Sequence, residues 1–369
     1  MYAPEQGLFK AELFIREAPQ GYQASLQTSS GQELSAMLGP APALPPPGSI
    51  PPLVYGHQLF QWVFHDELLR GLQLLHDLSH RSSEDPPAMR LLLRLEPASP
   101  LSEFCWETMC PSPSDLPLGI TTAFSRYVYS HTPSRPTMWD RPIRILLIVS
   151  NPDGLQRFDL DSVDQNLERS VLHEAERQLE GRILVKRLLR PQLDDIRREE
   201  KVGYHITHLL AHATLGDGHG GIVLADQHGK ATVVAPEAMA EAIASPSDSS
   251  APYLVFLALP VNGEAPHGRV LMNLSGMLIR AGVQSVVVVQ APVEPEPLTA
   301  FMERFYRVLL ETGAMDVAVA EARKVLFLAA PGNWEWTWPV LCGRAADSGL
   351  QQRLPHELES TVSKIKFGA

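Results

Sequence analysis

The chain has 369 residues, 44% apolar and 20% charged, with a formal net charge of -11; this is a globular composition large enough for two domains, and its acidity argues against non-specific nucleic-acid binding. Cys105, Cys110 and Cys342 neither pair evenly nor show zinc-site spacing, so they are expected as free thiols in a reducing, cytoplasmic compartment. The first residues carry no basic stretch leading into an apolar one, and no apolar run approaches about 18 residues, so neither secretion nor a membrane span is expected.

From the N-terminus, Phe9, Ala11, Leu13 and Ile15 alternate with polar residues, Pro19-Gln20-Gly21 makes a turn, and Tyr22, Ala24 and Leu26 alternate again. That pattern predicts a β-hairpin. A proline-rich link, Pro45 to Pro52, follows. Between Leu59 and Leu78 the apolar residues Phe60, Val63, Phe64, Leu68, Leu72 and Leu75 recur at helical spacing, predicting one amphipathic helix. Its histidines, His57, His65, His76 and His80, do not share a face and suggest no metal. A strand at Met89 to Leu95, a short helix within Pro97 to Cys110 and an extended segment at Ile120 to Tyr129 complete a small mixed α/β domain, expected over 1–140. It groups no acids, bases and nucleophiles together.

After the link at His131 to Arg141 the pattern changes. Ile143 to Ser150 is a nearly continuous aliphatic run, as a parallel strand buried on both faces requires, and it stops at the turn signal Asn151-Pro152-Asp153-Gly154. A helix is predicted over Val163 to Glu180, a strand over Arg182 to Leu189, a charged helix over Asp194 to Glu200 and a strand over His205 to His212. A small hairpin surrounds Gln227-His228-Gly229, then come helix Pro236 to Ala244, strand Tyr253 to Leu259 and helix Val270 to Ala281. Strand Ser285 to Gln290, helices Leu298 to Leu310 and Met315 to Ala329, and a strand at Trp338 to Gly343 that closes the sheet finish the series. Strand and helix alternate, which predicts an α/β fold over 141–349: a doubly wound, mostly parallel sheet with helices on both faces, followed by a flexible tail over 350–369.

Two loops invite a chemical reading. Gly216-Asp217-Gly218-His219-Gly220-Gly221 formally matches a dinucleotide fingerprint, but a short strand follows it instead of a helix able to hold a pyrophosphate, so no cofactor is expected. A loop over the active edge, with Gly216 and Gly218 as binding candidates, fits better. A second-messenger or nucleotide module remains the alternative. His205, His208 and His212 have the spacing of a metal-binding helical face; on a strand, however, His205 points away from the other two, and no metal is expected. A lone histidine is usually a satisfied core residue. His212 differs because it ends a central strand and runs into a glycine-rich loop, where ligands sit on open α/β sheets.

Several stretches together carry a family resemblance: Tyr204-His205-Ile206-Thr207-His208-Leu209-Leu210-Ala211-His212-Ala213, Leu254-Val255-Phe256-Leu257-Ala258-Leu259-Pro260, Leu278 to Val287, Phe305-Tyr306-Arg307 and Ala320-Glu321-Ala322-Arg323. In order and spacing they resemble the CHAT family, caspase-like proteins of the separase and caspase clan, over about residues 141–345. Leu101 to Arg126, with Trp106-Glu107, resembles the segment that precedes the peptidase fold in many members. The resemblance implies a caspase-like fold and places the general base at His212 and the nucleophile at Pro260, about 50 residues later. Family members carry His-Gly and Ala-Cys pairs there; this chain has His212-Ala213 and Leu259-Pro260. Proline offers no nucleophilic atom and removes its own N–H, a possible oxyanion donor.

The resemblance therefore implies an inactive, protease-shaped protein that binds or regulates. Its implied partners are proteins, such as an active caspase-like protease, a sensor or an effector, in bacterial signalling or defence. Glu294 or Glu296 would form a pocket for basic side chains, although the Pro-rich stretch around them also reads as a solvated turn, and Asn262 joins them as a binding candidate. The alternative is an active cysteine peptidase with a displaced nucleophile, cleaving a partner after basic residues.

Overall fold

Period-two alternation carries the chain into β1 (Phe9–Ala18) and β2 (Gly21–Thr28), paired antiparallel with Ala18 opposite Gly21. The turn needs glycine: Gly21 has φ +132, and a Cβ there would lie 2.6 Å from the Gly39 carbonyl. A third strand, β3 (Glu33–Leu38), adds antiparallel to β2 and is absent from the sequence reading. Only Leu38 of it is fully buried, so its alternation is weak. The helix expected over 59–78 is two, α1 (Pro52–Val63) and α2 (Asp66–Ser82), separated at Phe64-His65, with Asp66 at φ 47. Leu59, Phe60, Val63, Phe64, Leu68, Leu72 and Leu75 still share one core. Spacing recorded burial and was blind to the break.

In chain order there follow β4 (Met89–Leu95), two 3-10 turns at Pro100–Glu103 and Trp106–Thr108, α3 (Leu118–Thr121), β5 (Ala123–Tyr127) and β6 (Thr137–Trp139). Next come β7 (Ile143–Val149), α4 (His173–Gln178), β8 (Ile183–Leu189), α5 (Leu193–Glu200) and β9 (Ile206–Leu210). The strands β10 (Ala213–Thr214), β11 (Gly221–Ala225) and β12 (Ala231–Val234) form a separate antiparallel ribbon. The chain then continues through α6 (Pro236–Ile243), β13 (Leu254–Ala258), α7 (Gly268–Ala281), β14 (Ser285–Val289), α8 (Pro295–Thr312), α9 (Met315–Ala329), β15 (Pro339–Gly343) and β16 (Leu350–Gln352). The structure, a computed structural model, describes residues 9–28, 31–82, 89–96, 99–130, 137–139, 142–162, 172–178, 181–214, 220–244, 251–258, 268–291, 294–344 and 350–352. Most of the helix expected over 163–180, and most of the tail expected over 350–369, lie outside them.

Among the described residues, eleven strands form one sheet in the order β3-β2-β1-β4-β5-β15-β14-β13-β9-β7-β8. Seven of its neighbouring pairs are parallel, which makes it a mostly parallel sheet. One face of the second half packs under α8 and α9 through Phe301, Phe305, Met315 and Val319; the other packs under α5, α6 and α7 through Ile196, Met239 and Leu274. Burial on both faces is why β7 apart from Arg144, β13 and β14 read as nearly unbroken apolar runs, whereas β9 buries Thr207 and His208 among its aliphatic residues. Among the described residues, no helix is long and apolar enough to cross a membrane.

The expected closing strand, β15, does not close the sheet. It runs antiparallel to β14 and pairs parallel with β5 on its other side, in the middle of the sheet. Strands from either side of residue 140 are thus direct neighbours. Buried charges reinforce that seam. Arg126 donates to both oxygens of Glu107, at 3.0 and 2.6 Å, and Arg323 of α9 lies 3.8 Å from the same carboxylate. Arg323 also donates to the carbonyls of Gly119 and Pro339, and Arg90 pairs with Asp316 at 2.6 Å.

Candidate functional site

In the second half the strand order reverses around β7: β8 lies on one side of it and β9, the next in the chain, on the other. Open α/β sheets leave a crevice at such a point, outside the carboxyl ends of the strands. The register aligns those ends: Val149 of β7, Leu210 of β9 and Ala258 of β13 share one row. One step beyond, Ser150 N–H donates to the Leu210 carbonyl at 2.9 Å, and Ala211 N–H to the Ala258 carbonyl at 3.3 Å. His212 comes next. Its carbonyl accepts the Val223 N–H at 2.9 Å, and the Ser150 hydroxyl donates to the Val223 carbonyl at 2.7 Å. The small ribbon is thereby tied to this edge, and His212 is only 1% exposed.

The expected strand His205 to His212 therefore ends at Leu210, and its three histidines have separate surroundings. The backbone N–H of Arg144 donates to His205 Nδ1 at 2.9 Å. His208 is stacked on Phe256, with ring centroids 4.3 Å apart, and Tyr306 stands beyond at 6.2 Å. Neither ring nitrogen of His208 has a hydrogen-bond partner among the described residues. Burial pushes its pKa down to about 3, so the imidazole is neutral in the core. Of the three, only His212 lies beyond the strand-end row.

Pro260, Asn262, Gly216 and Gly218 lie outside the described residues. Ala258, which precedes Pro260 by two residues, is level with Leu210, which precedes His212 by two. Glu294 and Glu296 stand at the N-terminus of α8, which begins at Pro295 and not at Leu298 as expected. Both carboxylates are exposed. That position favours negative charge, since unpaired backbone N–H groups face outward there. Just after β14 the Gln290 N–H donates to the carbonyl of Trp338, whose ring is stacked on Trp334 at 5.8 Å.

All three cysteines are buried, at 4%, 0% and 1% exposure for Cys105, Cys110 and Cys342. Burial pushes their thiols up, to about 12, 11 and 11 respectively. A reactive cysteine needs the opposite shift. Cys342 is opposite Val286, whose row continues through Val255 to Thr207. His212 lies five residues further along, which at about 3.3 Å per residue is on the order of 16 Å away along the strands.

A buried carboxyl close to β9 escaped the sequence reading. Glu200, at the end of a helix read only as charged, is 4% exposed and accepts the Thr207 hydroxyl at 2.6 Å. Burial pushes its pKa up to about 8, against the lowering effect of that hydroxyl. Thr207 precedes the strand-end row by three residues, so this carboxyl is remote from His212. A carboxylate flanked by Arg197, Arg198 and Lys201 carries no sequence signal of burial.

Comparison with known proteins identifies a family. The CHAT domain model matches residues 53–343, more than half of the chain. No curated protein matches it. Among solved structures it is similar to gingipain R, an Arg-specific cysteine proteinase, at 11% identity and a TM-score of 0.43, covering 73% of this chain and 66% of that one. It is also similar to the Saccharomyces cerevisiae separase-securin complex, at 13% identity and a TM-score of 0.41, covering 77% of this chain but 17% of that one. The chain thus spans just under two thirds of the first and less than a fifth of the second. With the matched segment running from α1 to the end of β15, the chain belongs to the CHAT family.

Proposed function

We propose that this chain is a catalytically inactive CHAT protein, a binding, scaffold or regulatory subunit whose partner is an active caspase-like protease, a sensor or an effector of a bacterial signalling or defence system. The observation that carries the proposal is that residue 260, where the resemblance puts the family's cysteine, is a proline. Without a thiolate there is no atom to attack a carbonyl, and losing such a nucleophile typically removes several orders of magnitude of rate. The three remaining thiols support the reading, because each is buried with a raised pKa and none sits at the strand-end row. A displaced-nucleophile peptidase would need one of them there. Glu294 and Glu296 supply exposed carboxylates that attract a basic peptide without cutting it.

The test uses an arginine-containing peptide in two forms, one carrying a cysteine-directed electrophile and one fluorescent. Mass spectrometry of the native chain is expected to show no covalent adduct, and the fluorescent peptide to remain intact. Binding by polarisation should weaken when Glu294 and Glu296 are both changed to glutamine. An adduct that disappears in His212→Ala would overturn the inactive assignment.

A further inference from the structure

Strand β8 ends the sheet on its side, and among the described residues it pairs only with β7. Two hydrogen bonds set the phase of that pairing: Ile143 N–H donates to the Arg182 carbonyl, and Arg190 N–H to the Val149 carbonyl. In a parallel ladder alternate residues bond to alternate sides. The even-numbered residues from 182 to 190 therefore bond to β7, and Ile183, Val185, Arg187 and Leu189 turn both N–H and C=O toward the open edge. An edge of that kind is a template for one more strand.

Its side chains select the strand. Arg182, Lys186, Arg187 and Arg190 fall within nine residues of a chain whose net charge is -11. Leu184 and Leu189 are 55% and 53% exposed. Glu176 of α4 meets Arg187 at 2.8 Å, and Asp153 lies 3.9 Å from Arg190; Lys186, in the middle of the strand, is exposed. A second copy adding antiparallel about that middle would set Lys186 opposite its own counterpart, while Arg182 is taken up by the Leu310 carbonyl, to which it donates at 3.1 Å. Like charges directly opposite are destabilising, so the edge disfavours itself. Carboxylates in the same places would be attracted.

We propose that β8 is the docking edge for an extended acidic segment of a partner protein, which adds to the sheet as a twelfth strand. Outward backbone groups supply the affinity of such strand addition, and side-chain pairing supplies the selectivity. Opposite Leu184-Val185-Lys186-Arg187-Leu188-Leu189 the fitting pattern is two apolar residues, two carboxylates and two apolar residues. The edge uses none of the residues around His212, so this inference and the inactive-protease reading stand or fall separately.

The probe is a fluorescent octapeptide, Ser-Val-Val-Glu-Glu-Val-Val-Ser, with a control carrying Lys-Lys in place of Glu-Glu; being palindromic, it tests both strand directions. The acidic peptide is expected to raise polarisation on the full chain, to bind at least tenfold more tightly than the control, and to weaken as salt rises. Lys186→Glu should reverse the preference between the two peptides. Leu189→Pro removes one outward N–H while leaving the bonds to β7, so it should cut binding at least tenfold with thermal melting unchanged. Equal binding of both peptides, binding of neither, or full binding by Leu189→Pro overturns the proposal. So does sedimentation showing a dimer that Leu189→Pro makes monomeric, because the edge would then belong to a second copy.

Discussion

Replacing Glu200 by glutamine should change how stability depends on pH, in a way set by two buried groups on opposite faces of β9. Folded Glu200 keeps its proton up to about pH 8, whereas its ordinary value is 4.5. Between those values the folded state holds a proton the unfolded chain has lost, so stability falls as pH rises, by about 1.4 kcal/mol per unit. Over the whole interval the loss is on the order of 5 kcal/mol. His208 acts in the reverse sense: unfolded it takes a proton near 6.5, folded only near 3, so its contribution is lost as pH falls through that range. Between pH 4.5 and 6.5 the two slopes cancel in the native sequence.

Glu200→Gln keeps an acceptor for the Thr207 hydroxyl and removes the titration. The variant should then gain stability up to about pH 6.5 and stay level to pH 9. Beyond a constant offset, its advantage over the native chain should grow from nothing at pH 4 to on the order of 5 kcal/mol at pH 9. Urea unfolding followed by tryptophan fluorescence, at half-unit steps of pH, measures that difference. Parallel stability curves for the two proteins between pH 5 and 8.5 would refute the reasoning.

Two further substitutions probe the packing. Glu107→Ala leaves the guanidinium groups of Arg126 and Arg323 buried beside an empty place. It should cost about 3–5 kcal/mol in chemical denaturation, whereas Arg197→Ala, which breaks the exposed pair with Asp194, should cost less than about 1. Comparable effects would remove the seam's charges from the account of stability. Gly56→Ala in α1 should lower the melting temperature although alanine is worth up to about 1 kcal/mol more than glycine in a helix, because its Cβ would fall 1.8 Å from the Thr108 carbonyl oxygen. A raised melting temperature would show that the 3-10 turn at Trp106–Thr108 gives way without cost.

Much of the second half was legible in the sequence. Ile143 to Val149, Leu254 to Ala258 and Ser285 to Val289 announce themselves because burial on both faces forces a nearly continuous apolar composition, and Ile206 to Leu210 keeps three aliphatic residues around the buried Thr207 and His208. The break between α1 and α2 did not, because Phe64 and Leu68 bury into the same core on either side of it. Strand β3 was missed because its outer residues, Glu33, Ser35 and Met37, meet solvent. The likeness of Leu101 to Arg126 to a segment preceding the peptidase fold pointed to a neighbouring unit, but not to β5 pairing with β15 in one sheet. Pairing between segments more than two hundred residues apart leaves no local period to read.

By itself, the sequence determined the alternation of strand and helix and that Pro260 carries no nucleophilic atom, since a residue's reactive atoms are a property of its type. Only the tertiary structure decided that His212 lies at the switch point between β7 and β9, that Cys342 lies on the order of 16 Å along the strands from it, that Glu200 is buried, and that β8 pairs only with β7 among the described residues. Strand order, burial and pKa are set by which distant segments become neighbours, and that depends on the whole sheet, not on any one stretch of it.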